Sequence, residues 1–233
     1  MVLRGKKLQE YKRNLVLSQE QRNFLIGSLL GDGNMRFPGR NINANFIAAH
    51  GGNQKDYVWW KYSLLKEWVL TPPKKSIRRY HKDKTRTLAS WRFLTISHPQ
   101  LTEIYQTFYQ NGKKIIPEKV EELLASSFSL AVWVMDDGNK NRDALFLNTQ
   151  NFSLRDQKRL CRCLKNNFGL ETTINKHSVS NRKQLYRIRI NTNSTRKLYY
   201  LIQKYLLPSM YYKLPFPRND FSRSRATTMV GIQ

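Results

Sequence analysis

The sequence predicts an α+β protein made of two similar halves, each an αββαββα repeat with its helices against one face of an antiparallel sheet. Helix-like and strand-like segments occur twice, in the same order, along the 233 residues. The strand-like segments alternate polar and apolar residues, so each strand has one face suited to a core. Hydrophobic residues make up 40% of the chain, which is enough for packed cores. Helices should cover the apolar face of each sheet.

The first half begins with a helix signal at Ser18. A Gln stands three residues later, which is typical of a capping box. The apolar helix that follows ends at the step Asp32-Gly33, a common helix stop. The next predicted segments are a strand over 41–46, a helix over 56–69, a hairpin over 76–96 and a helix over 99–110. This half closes on Lys114, apolar residues and Pro117.

The second half repeats this order from residue 126. An apolar helix over 127–138 ends at Asp137-Gly138, and the half closes on Lys213 before Leu214 and Pro215. The segments between are a strand over 144–149, a helix over 153–168, a hairpin over 172–191 and a helix over 195–205. The two acids lie 105 residues apart, and the distances from acid to lysine are 82 and 76 residues.

These limits predict five parts of the chain. They are a basic N-terminal extension over 1–17, a repeat over 18–117, a linker over 118–125, a repeat over 126–216 and a C-terminal tail over 217–233.

The charge balance indicates an anionic partner. The chain has 41 Lys and Arg against 16 Asp and Glu, a formal charge of +25. Nucleic acid and an anionic membrane surface are the usual partners of such a chain. Its apolar stretches, 24–30 and 128–135, are too short to span a bilayer, and no secretory apolar region follows the basic N-terminus. We therefore expect an intracellular protein that binds nucleic acid and no membrane.

The polar faces of the predicted strands suit duplex DNA. A β-ribbon fits the major groove, where Arg and Lys bind guanine and Asn and Gln bind adenine. Asn41, Asn43 and Asn45 should face one way along a strand, and so should Arg187 and Arg189. Because the halves differ in sequence, the target should be asymmetric. The residues predicted to bind DNA are Arg36, Arg40, Asn41, Asn43, Asn45, Arg78, Arg79, Lys82, Lys84, Arg86, Arg92, Lys140, Arg142, Asn148, Gln150, Lys176, Arg182, Lys183, Arg187, Arg189 and Asn191.

The paired acids need a separate explanation, because carboxylates and phosphates repel each other. Carboxylates at the ends of two helices that meet would bind a hard cation such as Mg²⁺. Such an ion neutralises a phosphate, lowers the pKa of water and stabilises a leaving oxygen. Lys114 and Lys213 would add positive charge near the scissile phosphates or help to activate water. Asp32 and Asp137 are therefore predicted metal ligands for phosphodiester hydrolysis.

The residues 25–33 (LIGSLLGDG) and 130–138 (LAVWVMDDG) resemble the paired LAGLIDADG motifs of homing endonucleases. Supporting blocks stand at 70–75, 147–150 and 206–215, and the resemblance covers residues 8–216. It is closest to the monomeric double-motif subgroup represented by the omega-intron endonuclease. One motif alone is a weak signal, whereas two at this spacing with matched lysines are strong.

The resemblance implies two pseudo-symmetric units whose motif helices pack at the pseudo-twofold interface. It implies Mg²⁺-dependent cleavage of both DNA strands at a long target, leaving short 3′ overhangs. It also implies that Mn²⁺ can replace Mg²⁺ and that Ca²⁺ supports binding without cleavage. Asp32, Asp137, Lys114 and Lys213 are carried over as catalytic residues, and Gln150 as a residue that supports the metal site or contacts a base. A monomer encoded in an organellar intron is expected.

The second motif departs from the family pattern. Small residues are expected where the motif helices cross, and the first motif has Gly27 and Gly31 there, while the second has Val132 and Asp136. Asp136 has three possible roles: contacting metal, capping a helix or pairing with a basic side chain. Gly31 and Asp136 are therefore secondary candidates at the metal site, beside Asp32 and Asp137.

Two other functions fit the architecture. A maturase, which binds intron RNA as a splicing cofactor, would also use a basic β-face, but it has no need for Asp32 and Asp137. A transcription factor on this scaffold would bring an added helix-turn-helix segment, for which the short ends leave no room. Cys161 and Cys163 are interpreted as small apolar residues, because the four histidines are scattered and lack the spacing of a zinc site.

Overall fold

The computed structural model describes residues 5–39, 42–79, 87–180 and 182–215. It divides the chain into two compact units, Met1–Pro117 and Glu118–Gln233. The predicted linker 118–125 is thus part of the second unit, where it contains a short helix, and the predicted extension 1–17 contains another. The predicted DNA-binding residues Arg40, Asn41, Lys82, Lys84 and Arg86 and the tail 217–233 lie outside the described residues.

The first unit combines helices with a four-stranded antiparallel sheet. The sheet order is β1-β2-β4-β3, and β5 and β6 form a separate hairpin. The elements are α1 (Gly5–Arg13), α2 (Gln19–Leu30), β1 (Asn34–Arg36), β2 (Asn45–Gly51), α3 (Lys55–Leu64), β3 (Lys74–Arg79), β4 (Thr87–Leu94), α4 (Pro99–Phe108), β5 (Tyr109–Gln110) and β6 (Lys113–Lys114).

Helix α2 begins at the predicted capping box. The Ser18 hydroxyl accepts a hydrogen bond from the Gln21 N–H at 3.1 Å, and the Gln21 side chain accepts one from the Ser18 N–H at 3.1 Å. Two N–H groups that the helix leaves without internal partners are thereby satisfied. Every residue of α2 from Phe24 to Leu30 is buried, as expected of a helix that is apolar all round.

The sheet of the first unit has one covered and one open face. Phe46, Ala48 and His50 of β2 are buried on the covered face, where the Phe46 ring lies 5.8 Å from that of Phe24. Helices α3 and α4 pack against the sheet from this side. On the other face, Arg92 and Leu94 of β4 are exposed. This open face belongs to the surface that the sequence predicts for DNA.

Asn43 and Asn45 do not share a strand face, so that part of the prediction is wrong, and Asn41 lies outside the described residues. The strand begins only at Asn45, and residues 42 and 43 form a bend. The Asn45 side chain is buried, with its amide donating to the Thr95 carbonyl at 3.4 Å. The Asn43 side chain accepts a hydrogen bond from the Thr102 hydroxyl at 3.1 Å. The two side-chain amides hold the start of β2 against Thr95 and Thr102. Burial removes Asn45 from any DNA-contacting surface.

The second unit repeats the architecture of the first. Its sheet order is β7-β8-β10-β9, the same first, second, fourth and third order along the chain. The elements are α5 (Val120–Leu123), α6 (Ser127–Asp137), β7 (Gly138–Asn141), β8 (Ala144–Leu147), α7 (Leu154–Phe168), β9 (Thr172–Ser180), β10 (Lys183–Ile190) and α8 (Thr192–Ile202). The predicted α+β repeat, with antiparallel sheets, is confirmed.

Helix α7 covers the sheet of the second unit with one apolar face. Leu160, Cys163, Leu164 and Phe168 are buried on that face, and the helix packs against β9 and β10. Burial raises the pKa of the Cys163 thiol to about 12, so Cys163 is an unreactive apolar residue, as the sequence indicates. Within the described part of the chain, no helix is long and apolar enough to cross a membrane.

A glycine follows each motif acid and allows a close backbone approach, and replacing it should destabilise the protein. A Cβ added at Gly138 would lie 2.4 Å from the Val134 carbonyl oxygen, and one at Gly33 would lie 2.6 Å from that of Ser28. We expect Gly138→Ala to lower the free energy of unfolding by about 1–3 kcal/mol, since the backbone must shift. Urea unfolding measures this change.

Gly51→Ala is the matched control for that measurement. A Cβ at Gly51 would meet nothing within 4 Å, and the backbone there, with φ −59° and ψ 162°, suits any residue. Its free energy of unfolding should be unchanged or slightly higher. Equal losses for Gly51→Ala and Gly138→Ala would contradict the steric explanation.

Candidate functional site

The end of α2 holds Asp32 on a tight turn. The Ser28 carbonyl accepts hydrogen bonds from the N–H groups of Gly31 at 3.2 Å and Gly33 at 2.7 Å. These two bonds reverse the chain within three residues and fix the backbone on both sides of Asp32. The Asp32 side chain itself is 50% exposed, so its carboxylate is accessible to a cation or a ligand.

His50 is a site residue that the sequence interpretation missed. Its Nδ1 lies 3.7 Å from Oδ2 of Asp32, and its side chain is 3% exposed. The ring also packs against Tyr57, with centroids 4.9 Å apart. The sequence does contain a signal, because Phe46, Ala48 and His50 follow the two-residue period of the buried strand face. A polar side chain at an inward position adjacent to a carboxylate is a candidate for orienting that carboxylate.

Lys114 reaches the end of α2 from the β5-β6 hairpin. Its Nζ donates hydrogen bonds to the carbonyl oxygens of Gly31 at 2.9 Å and Gly33 at 2.6 Å. The hairpin turn consists of Asn111 and Gly112, both with positive φ, 50° and 72°. Asn-Gly is the preferred pair for such a two-residue turn, so this sequence signal predicts how Lys114 is brought back towards the motif.

Tyr109 fixes the same hairpin to β1. Its hydroxyl donates to the Asn34 side chain at 2.7 Å and accepts from the Met35 N–H at 2.9 Å. Burial raises the pKa of Tyr109, against the lowering effect of the Met35 hydrogen bond. The phenol therefore stays neutral and can donate at physiological pH.

The second unit has the corresponding arrangement at the end of α6. The Lys213 ammonium donates a hydrogen bond to the Asp136 carbonyl oxygen. The Asp137 carbonyl accepts one from the Asn148 N–H at 3.1 Å, and the Gly138 N–H donates to the Val134 carbonyl. The Asp137 side chain is half-buried and Asp136 is 3% exposed.

The two lysine contacts are equivalent in the repeat. Gly31 and Asp136 each precede the predicted metal-binding acid, and each offers its carbonyl to the lysine of its own unit. An ammonium group at the C-terminus of a helix is favoured by the partial negative charge there. The structure thus brings each predicted catalytic lysine to the acid-bearing turn of its own repeat.

The donor set at both motif ends fits a hard cation. Asp32 and Asp137 offer carboxylate oxygens, the ligands that Mg²⁺ and Ca²⁺ prefer. The main-chain carbonyl of Gly31 is already bonded to Lys114. The side-chain oxygens of Asp32 and Asp137 are thus better placed than Gly31 to bind metal.

Gln150 follows β8 and is half-buried in the second unit. Its side-chain oxygen is buried and receives no hydrogen bond from the described residues. A buried amide oxygen that lacks a donor is costly, which fits the predicted role of Gln150 in supporting a metal site or contacting a base.

Most of the predicted DNA-binding residues that the structure describes are on the surface. The exposed ones are Arg36, Arg79, Arg92, Lys140, Arg142, Lys176, Arg182 and Lys183, and the half-buried ones are Asn43, Asn148, Gln150, Arg187, Arg189 and Asn191. Arg78 lies in β3. Asn45 is the member of the predicted set that the structure buries.

Arg187 and Arg189 lie on one face of β10 but have different surroundings. Arg187 Cζ lies 3.8 Å from the ring centroid of Phe146 on β8. Arg189 donates hydrogen bonds to the side chains of Asn191 at 3.2 Å and Thr192 at 3.4 Å. Arg189 is thus bonded to the start of α8, whereas among the described residues Arg187 is held by the ring of Phe146.

The sequence matches the model of the LAGLIDADG DNA endonuclease family over residues 22–198. The chain belongs to this family. The match includes both motifs, both acids and Lys114, and ends before Lys213. The resemblance seen in the sequence and its interpretation as a site-specific DNA endonuclease are confirmed.

Individual relatives of the chain differ in their named roles. The chain is 29% identical over 204 residues to the cytochrome b mRNA maturase bI2 of Debaryomyces hansenii, covering 86% of this chain and 76% of the relative. It is 29% identical over 220 residues to the probable intron-encoded endonuclease 1 of Wickerhamomyces canadensis, covering 91% of each. The solved structure of the homing endonuclease I-WcaI bound to its DNA recognition sequence matches with a TM-score of 0.82 at 29% identity, covering 91% of this chain and 94% of that one.

Proposed function

We propose that the protein is a homing endonuclease that makes a double-strand break with short 3′ overhangs at a long, asymmetric DNA target. The observation that supports this proposal is the arrangement of an acid and a lysine at the end of each motif, which occurs in both units. In each unit an apolar helix leads into an aspartate, and a lysine from the end of the same repeat donates a hydrogen bond to the carbonyl before that aspartate. Two equivalent constellations in one chain match the requirement to hydrolyse two strands, so one copy of the chain suffices.

Asp32 and Asp137 are the residues that would hold Mg²⁺, with Gly31 and Asp136 as secondary ligands. When bound, the metal supplies charge neutralisation at the phosphate and a lowered pKa for water. Lys114 and Lys213 hold a positive charge next to each acid, where it stabilises negative charge that develops on the phosphate. Mn²⁺ should replace Mg²⁺, and Ca²⁺ should support binding alone, because it has the same preference for oxygen but a looser geometry.

The open sheet faces are the proposed DNA-contacting surfaces. Exposed Arg92 on the open face of the first sheet, and Arg187 and Arg189 on that of the second, supply positive charge for DNA. The two faces carry different side chains, so each should select a different half of the target. The resemblance and a relative named as intron-encoded further support an origin in an organellar intron.

A cleavage selection tests this function directly. The purified protein is incubated with a randomised duplex library in Mg²⁺, and the new DNA ends are sequenced, with the Asp137→Asn protein in parallel. We expect recurrent ends at one long motif, with paired cuts offset to give 3′ overhangs, and none with the variant. Ends that are equally frequent with both proteins would show a contaminating nuclease and overturn the proposal.

A maturase function is the second candidate, and one surface of the second unit favours it. Helix α7 exposes Arg155, Lys158, Arg162 and Lys165 along the side opposite its buried face. Arg162 and Lys165 pair with Glu121 and Glu171, while no described residue pairs with Arg155 or Lys158. This basic stripe lies on the far side of the unit from the open sheet face, so it offers a separate site for RNA phosphates.

If RNA binds to this stripe, substitutions in the stripe should weaken RNA binding without affecting DNA cleavage. The double change Arg155→Ala and Lys158→Ala should weaken binding to the intron transcript that encodes the chain about 10-fold or more at moderate salt, because two phosphate contacts are lost. DNA cleavage should stay within about 2-fold, since the helix faces away from the open sheet. Filter binding with an unrelated transcript of equal length gives the background. Equal losses in RNA binding and DNA cleavage would contradict a separate RNA site.

A further inference from the structure

Arg187 is placed unlike the lysines of the second sheet. It lies on β10, a strand with neighbours on both sides, and is half-buried, whereas Lys140, Lys176 and Lys183 are exposed. A long basic side chain on an exposed edge can adapt to many phosphate positions. A basic side chain at the centre of a sheet is instead held in place by the side chains of the neighbouring strands.

The Phe146 ring supports the guanidinium of Arg187. The 3.8 Å between Arg187 Cζ and the ring centroid places the planar group against the ring face. Phe146 is only 8% exposed, although it lies on the open face of the sheet. It is directly opposite Arg189 on β10 and therefore diagonal to Arg187. Stacking of this kind is favourable and removes rotational freedom from the arginine.

No described residue accepts a hydrogen bond from Arg187, and its Nε is buried without a partner. Arg189, two residues away on the same face, is instead bonded to Asn191 and Thr192. The terminal nitrogens Nη1 and Nη2 of Arg187 are not among the buried atoms of the described residues, so they are available to an acceptor outside the protein.

We propose that Arg187 is a specificity-determining residue that recognises one guanine in the half of the target bound by the second unit. Guanine presents two acceptors, N7 and O6, in the major groove, and an arginine fork matches both at once. Phe146 holds the fork in place before DNA arrives, so less conformational freedom is lost on binding. This inference rests on the proposed endonuclease function and deepens it.

Base preference after substitution tests the assignment. The wild-type target is first selected from a randomised duplex library, and sites bound in Ca²⁺ are then sequenced for each variant. Arg187→Ala should lose its guanine preference at one base pair, with discrimination there falling about 10- to 100-fold and other positions unchanged. Arg187→Lys should keep part of the preference, because a single ammonium contacts guanine without the planar fork. Arg189→Ala should leave the preference at that pair intact.

A modified base tests the contact between Arg187 and the guanine separately from other contacts. Replacing that guanine by 7-deazaguanine removes the N7 acceptor, so wild-type binding should weaken about 10-fold while Arg187→Ala binding does not change. Phe146→Leu should give an intermediate loss, with thermal unfolding confirming that the variant is folded. A uniform loss of affinity across all sequences would assign Arg187 to a phosphate, and no loss would make it structural. Either result overturns the inference and leaves the endonuclease proposal intact, whereas failure of the wild type to select any site would overturn the endonuclease proposal.

Discussion

Asp32→Asn and Asp137→Asn are each expected to abolish double-strand cleavage, with a loss of about 1,000-fold or more. Each change replaces a carboxylate by an amide of the same shape and removes the charge that would hold a divalent cation. Loss of several kcal/mol of stabilisation at the reacting phosphate corresponds to three orders of magnitude in rate. Supercoiled plasmid carrying the selected target provides the measurement, since nicked and linear products separate on a gel.

DNA binding should survive these two changes. Their affinity for the target in Ca²⁺ or without metal should stay within about 5-fold of wild type, because removing a negative charge does not weaken phosphate contacts. Asp143→Asn is the matched control, since Asp143 is an exposed acid in the turn between β7 and β8 and should cleave normally. If either single motif variant cuts both strands at the normal rate, the assignment of one acid to each strand is wrong.

The fold was largely predictable because its signals are local and occur twice. The capping box at Ser18, the alternation in 187–190 and the Asp-Gly helix stops each act within a few residues. Element ends were less predictable. Helix α3 stops at Leu64 and continues as a 3₁₀ turn over Lys66–Trp68, and α8 begins at Thr192, three residues early. Side chains distant in sequence decide such ends.

The residues of the candidate site were predictable only where they occur at corresponding positions in both repeats. Asp32, Asp137, Lys114 and Lys213 stand at matched positions, and the structure gives both lysines the same carbonyl contact. His50 has no counterpart in the repeat pattern, so only its inward position on β2 and its 3.7 Å approach to Asp32 reveal it. The prediction that Asn45 binds DNA was wrong because the burial of this residue depends on Thr95, which is 50 residues away in the chain.

Replacing either site lysine should slow cleavage while leaving the metal ligands in place. Lys114→Met and Lys213→Met keep a similar side-chain length but remove the ammonium. The carbonyl of Gly31 or Asp136 then loses a charged donor. We expect cleavage by each variant to fall about 100-fold or more, as is typical when one charged group that stabilises the transition state is removed.

The pattern of products separates a catalytic lysine from a structural one. If each lysine serves the strand cut at its own motif, a single variant should accumulate nicked plasmid with one preferred strand open, and the other variant should leave the opposite strand open. A lysine that only stabilises its turn would slow both strands equally and lower the midpoint of urea unfolding.

Lys113→Met supplies the matched control for these variants. Lys113 is the neighbouring residue of the same hairpin strand, is exposed and pairs with Gln110 in the ladder. Its loss removes the same charge from the chain, so a general electrostatic effect on DNA affinity should be equal for Lys113→Met and Lys114→Met at a given salt concentration. A cleavage rate for Lys113→Met as low as that for Lys114→Met would assign the effect to net charge. A large loss for Lys114→Met alone would assign it to the ammonium held at Gly31 and Gly33.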